Sequence, residues 1–158
     1  MTHNLANLGP KIALFEPDIP QNTAAIIRTC ACLGAKLEII EPCGFPLGDK
    51  GLRRVSMDYL EESNITIFKS WKNFIENQNY NSRRVLLTTK STNNYSKFTF
   101  KSDDYLILGS ESSGVPEFVL YDVNFTVKIP MNKKTRSLNV AISVAIISSE
   151  ALRQNNLF

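Results

Sequence analysis

Metal ligands are scarce in this chain. Its 158 residues include one histidine, His3, in a polar N-terminal stretch, and three cysteines, Cys30, Cys32 and Cys43. Four well-spaced zinc ligands cannot be assembled from that set, so no metal is expected. The odd count, with Cys30 and Cys32 in a helix-like apolar stretch, predicts buried free thiols in a reducing compartment. The opening "MTHNLANLGPK" lacks a charged segment followed by an apolar core, so no signal peptide is expected. No run approaches the roughly 20 apolar residues of a membrane span. A cytoplasmic protein with no membrane partner is the expectation. A strong charge of one sign is missing too. The net charge of +3 permits a nucleic-acid partner without demanding one. Neither a repeat nor a linker is visible. One domain over 1–158 is expected, with 1–10 as a loose extension.

What is present is an ordinary globular balance, 43% hydrophobic and 21% charged. Six apolar runs have strand length: "KIALFE" (11–16), "KLEIIE" (36–41), "ITIFK" (65–69), "RVLLTT" (84–89), "YLILGS" (105–110) and "FTVKIP" (125–130). Several are nearly continuous hydrophobes, the pattern of strands covered on both faces. Helical spacing lies between some of them. In 23–33, Ile26, Ile27, Cys30 and Leu33 share a face and Gly34 stops the helix. Ser70 can cap "WKNFIENQN", "VPEFVLYD" makes a short helix, and 137–153 makes the longest. The alternation predicts an α/β fold, a mostly parallel sheet flanked by helices.

Four stretches stand out. In "LGSESSGVP" (108–116) a buried strand ends at Gly109 and a polar turn leads into a helix. Ligands bind at such carboxyl ends, and Gly109 and Gly114 admit close backbone approach. The spacing is neither G-x-G-x-x-G nor a P-loop, which disfavours nicotinamide and nucleoside-triphosphate sites; a plain strand-to-helix turn is the bland alternative. In "PDIPQNTAAIIRTCACLG" (17–34), Asn22 stands at a helix start, where it can cap, and Arg28 interrupts an apolar helix. That arginine can equally snorkel to water. In "DKGLRRVSMDY" (49–59), Arg53 and Arg54 suit either a solvated face or a phosphate contact. Last, "IPMNKKTRSLNVAISVAII" (129–147) puts Lys133, Lys134 and Arg136 just before an apolar helix. Cations at a helix N-terminus oppose its dipole by a few tenths of a kcal/mol each. A local conflict of that kind marks a functional site.

Taken in order, Asn22 to Arg28, "GSESSGVP" and "IPMNKKTRSLNVA" resemble the three motifs of the SPOUT superfamily of RNA methyltransferases. "LTTK" (87–90) and "LRRVSMDY" (52–59) resemble most its branch that methylates the ribose 2'-oxygen of the wobble nucleotide, C or U at position 34, in leucine tRNAs. Ala24 and Ala25 stand where that branch often has Gly and Asn, and Ser56 where it often has Gly. The resemblance implies a deep C-terminal trefoil knot, a homodimer with a shared active site, and S-adenosyl-L-methionine as methyl donor. It implies cofactor contacts from Leu87, Gly109, Ile129, Ser137 and Leu138. Asn22, Glu111 and Asn139 would shape the catalytic site, and Arg28 would be the catalytic arginine. Arg53, Arg54, Lys133, Lys134 and Arg136 would grip the anticodon stem-loop. Two alternatives stay open: methylation of another tRNA position or of ribosomal RNA, and a non-catalytic RNA-binding protein on the same fold.

Overall fold

The computed structural model describes residues 9–48, 59 and 64–157. Arg53, Arg54 and Ser56 lie outside the described residues. The six apolar runs form six strands: β1 Lys11–Phe15, β2 Leu37–Ile40, β3 Ile65–Phe68, β4 Arg84–Leu87, β5 Tyr105–Leu108 and β6 Phe125–Val127. They make one sheet in the order β3-β2-β1-β5-β4-β6, and every pairing is parallel. Parallel neighbours need long crossovers rather than hairpin turns. Four helices are described: α1 Pro20–Leu33, α2 Trp71–Glu76, α3 Glu117–Asp122 and α4 Val140–Gln154.

Strand alternation divides the core in two. Ile12, Leu14, Leu106 and Leu108 pack with Ile26, Ile27 and Cys30 of α1 and Val144, Ile147 and Ala151 of α4. Ala13, Phe15 and Ile107 point the other way, against Trp71 and Phe74 of α2 and Val119 of α3. Because both faces are covered, the strands read as unbroken apolar runs. Each buried Leu or Ile contributes roughly 1.5–3 kcal/mol. A hydrogen bond of 2.7 Å from Trp71 Nε1 to Asp122 Oδ2 ties α2 to α3.

Helix ends follow local chemistry, with two departures from the sequence reading. Gly34 ends α1 in the left-handed region (φ 66°), as its position predicts. Ser70 caps α2 by accepting from the Asn73 amide. But α1 begins at Pro20, with proline in its first turn, so Asn22 lies inside the helix and is not its cap. Likewise α4 begins at Val140 rather than Ser137. Asn139 is the cap, accepting from the amides of Ala141 (2.8 Å) and Ile142 (3.4 Å).

One burial expectation also changes. Cys30 is buried, but Cys32 is exposed and Cys43 lies between. α4 carries an apolar stripe that its own chain leaves uncovered. Ile142 is 53% exposed, and Ala145 and Ile146 beside it are half-buried.

Candidate active site

A cavity of about 430 Å³ opens at the carboxyl edge of the sheet. The sheet order places it where the chain turns in opposite directions. β1 leads toward β2 on one side, while β5 sits on the other side of β1 beside β4. That crevice is where open parallel sheets take ligands. Its walls come from the segments after β1, β4, β5 and β6 and from the entry to α4. Leu87, Gly109, Ile129, Ser137 and Leu138 all line it, and so do Asn22, Glu111 and Asn139. Eight positions marked by the sequence motifs thus converge from four parts of the chain.

The turn after β5 closes on itself. Ser110 and Gly114 exchange two backbone hydrogen bonds, of 3.0 and 2.8 Å. A Cβ on Gly109 would stand 2.6 Å from the Gly114 carbonyl carbon, so no side chain fits there. Gly114 itself has φ +67°, a conformation most side chains resist. Both glycines are therefore required by the turn. Together they leave main chain, not side chains, along one wall.

A hydrogen-bonded series joins the polar residues. Asn139 donates to Asn22 (2.9 Å), and Asn22 donates to Glu111 Oε1 (3.3 Å). The backbone amide of Asp18 donates to Glu111 Oε2 (2.9 Å). The Asp18 carboxylate accepts from the Ser112 hydroxyl. Burial raises the Glu111 carboxyl above its ordinary pKa, and the Asp18 carboxylate beside it adds to the rise. Asp18 is held down to about 2, first by its contact with Glu111 and then by Ser112.

The basic residues are placed differently. Lys133, Lys134 and Arg136 are exposed on the loop at the cavity mouth, where Asn132 holds a turn by accepting from Thr135. Arg28 is exposed on the outer side of α1, with its guanidinium 5.1 Å from the ring centre of Tyr59. It does not line the cavity of its own chain. Sequence reasoning missed Asp18, Thr88 and Met131. Thr88 directly follows Leu87 and Met131 stands two positions after Ile129, both within quoted motifs, while Asp18 offered only its place after the first strand.

The model of the SpoU rRNA Methylase family matches residues 10–149. The chain belongs to the SpoU methylase family. Among curated relatives, it is 47% identical over 149 residues to a tRNA (cytidine(34)-2'-O)-methyltransferase from Beijerinckia indica, with 90% of each chain covered. It is 41% identical over 145 residues to the enzyme of that name from Escherichia coli K12, covering 90% of this chain and 92% of the relative. A solved structure from work on the 2-OH methylation of C/U34 on tRNA superposes with a TM-score of 0.90 at 34% identity, covering 97% of this chain and all (100%) of the other. That structure thus shares the fold of this chain.

Proposed function

We propose that this chain is an S-adenosylmethionine-dependent tRNA ribose 2'-O-methyltransferase. Its target is the wobble nucleotide, C or U at position 34, of leucine tRNAs. It works in the cytoplasm as a homodimer. One observation carries the reading. Asn22, Glu111, Ser137 and Asn139 meet at one cavity, in a chain that is 47% identical to a tRNA (cytidine(34)-2'-O)-methyltransferase.

The residues present suit the methyl donor. Its adenine needs an apolar wall, and Leu87, Ile129 and Leu138 provide one. Its polar groups need nearby main chain and hydroxyls, which the glycine-lined turn and Ser137 offer. The cavity lies within the usual range of small-ligand sites, roughly 300–1,000 Å³. Bound there, the donor supplies a methyl group on a sulfonium. The remaining work falls to the protein. Orienting a ribose hydroxyl against the donor contributes several kcal/mol. That hydroxyl must also lose its proton. Arginine, with a pKa above about 12, is a poor base. Arg28 instead donates hydrogen bonds to the 2'-oxygen or the adjacent phosphate and stabilises negative charge there. Because it faces outward beside Tyr59, it serves the cavity of a second copy. Lys133, Lys134 and Arg136 contact RNA phosphates, joined by Arg53 and Arg54 from outside the described residues.

The trefoil knot belongs to this reading. β6 is the strand beyond β4 at one edge of the sheet, yet α4 packs against α1 and β5. In this reading the connection between them passes the segment 88–104. α4 grips that segment at its end, where Gln154 bonds Phe98 and Phe100 and Asn155 bonds Phe100.

Single-turnover methylation of a leucine-tRNA anticodon stem-loop, followed by mass mapping of the nucleosides, tests the proposal. A methyl group on the 2'-oxygen of nucleotide 34 is expected. Methylation elsewhere, or of ribosomal RNA instead, overturns the substrate. Absence of calorimetric binding of S-adenosylmethionine to the folded protein overturns the cofactor.

A further inference from the structure

Asp18 sits behind the cavity wall rather than on it, and three contacts fix it there. Its backbone amide donates to Glu111 Oε2 at 2.9 Å. Its carboxylate accepts from the hydroxyl of Ser112, the next residue of the same turn. A Cβ on Gly44 would lie 2.7 Å from the Asp18 Cβ, so the loop after β2 presses on it from the far side. The Gly44 amide donates to the carbonyl of Pro17, next to Asp18, at 2.9 Å. Asp18 is therefore clamped between two loops, with Glu111 in front of it.

One feature of this arrangement has no packing rationale. Asp18 Oδ1 is buried and has no hydrogen-bond partner. A buried carboxylate oxygen without a partner is locally unfavourable, although Glu111 and Ser112 favour the ionised form of the group as a whole. An amide or a serine at position 18 would satisfy Ser112 and keep the backbone donor without that cost. Local conflicts of this kind concentrate at functional sites.

We propose that Asp18 is a positioning residue for Glu111, holding that carboxyl in the cavity wall from behind and placing a fixed negative charge against it. The inference rests on the methyltransferase reading, because Glu111 matters to turnover only if the cavity is the active site. The charge acts on Glu111 specifically. Two carboxyls in contact do not both ionise freely: Glu111 is pushed up, first by burial and then by Asp18, and Asp18 keeps the charge. Glu111 thus exchanges its proton at a higher pH than an ordinary glutamate. The other titratable groups within electrostatic reach are few. Cys43, on the loop after β2, feels Glu111 together with Glu16 and Glu41. From α1 Glu111 meets the amide of Asn22, which carries no charge.

The test compares Asp18→Asn with Glu111→Gln in the full-length protein. Two readouts are taken, single-turnover rate against pH and carboxyl carbon NMR of glutamate-labelled protein. Glu111→Gln identifies the Glu111 resonance by its loss, and its turnover should fall on the order of 10- to 100-fold. Asp18→Asn keeps the backbone donor and an acceptor for Ser112 but removes the charge. The Glu111 titration should move to lower pH, and the matching limb of the rate profile should move with it. S-adenosylmethionine affinity should stay unchanged. If Asp18→Asn does not fold, Asp18→Ser carries the same readouts. A Glu111 titration unchanged in a folded Asp18 variant overturns this inference. Normal turnover in Glu111→Gln overturns the assignment of the cavity instead.

Discussion

Asn139 donates a hydrogen bond of 2.9 Å to Oδ1 of Asn22, 117 positions earlier in the chain. The orientation of both amides follows from this contact. Asn139 must point its oxygen at the free amides of α4, because those are donors. Its nitrogen is then left to face Asn22, which must answer with oxygen. Asn22 thereby turns its own nitrogen to Glu111. A helix cap thus dictates, through one intervening side chain, what the carboxyl of Glu111 receives.

That series separates stability from activity at position 139. Asn139→Ala loses both the cap and the donor and should destabilise the fold by about 1 kcal/mol. Asn139→Asp keeps an acceptor for the helix amides but loses the donor to Asn22. Its denaturant midpoint should stay near the parent while turnover drops. Urea unfolding beside single-turnover rates measures the split.

Arg28→Ala should lower turnover roughly 100-fold or more, as removal of one oxyanion donor does. Calorimetric binding of S-adenosylmethionine should persist, since Arg28 lies outside the cavity lining. Arg28→Lys should recover only part of the rate, because an ammonium cannot reproduce a planar fork of donors. Near-normal turnover of Arg28→Ala would identify the residue as a solvated surface cation.

Gly109→Ala forces a methyl group to within 2.6–2.9 Å of the Gly114 backbone. The turn must open, at a cost of roughly 1–3 kcal/mol. Methyl-donor affinity should fall with it. Gly48→Ala serves as a control, since a Cβ there meets nothing within 4 Å.

The exposed stripe on α4 gives a prediction about assembly. Ile142→Asp should convert the proposed dimer to a monomer in sedimentation at micromolar concentration, and should abolish turnover through the shared site. An interface above roughly 2,000 Å² is expected for an obligate pair. A wild-type monomer under the same conditions would remove the shared-site account of Arg28.

Asp104 is fully buried (0% exposed) and receives two hydrogen bonds of 2.7 Å from Arg83, plus one of 2.8 Å from the Lys101 amide. Removing it takes the paired carboxylate from a guanidinium set between the rings of Phe98 and Phe125, leaving only the weaker charge of Asp103. Asp104→Ala should cost about 3–5 kcal/mol, read as a drop in the urea midpoint. Arg83→Ala should cost at least as much, because it strands the fully buried Asp104 carboxylate, whereas the Arg83 left by Asp104→Ala is partly solvated.

The strands were legible because a sheet covered on both faces leaves an unambiguous apolar signature, as in "YLILGS". Helix starts were less so. Ser137 and Asn139 are both good caps, and only geometry decides between them; Pro20 equally hid the first turn of α1. Asp18 was invisible for a different reason. Nothing in "PDIPQ" speaks of Glu111, and the two meet only because β1 pairs with β5. The place of Arg28 was half legible. Its spacing from Asn22 marked it, but the tilt that turns it away from the cavity is a property of the packed helix.

The pairing of β1 with β5 also governs when this protein can take shape during its synthesis. Lys11 and Tyr105, register partners in the two strands, are 94 positions apart. At roughly 5–20 residues per second, a ribosome spends about 5 to 20 s between them. Through that interval β1 has only one flank paired, and α1 waits still longer for α4. A nascent chain with bare apolar strand and helix faces is a natural client for chaperones, and its slow, non-local closure should make refolding from denaturant sluggish and concentration-sensitive.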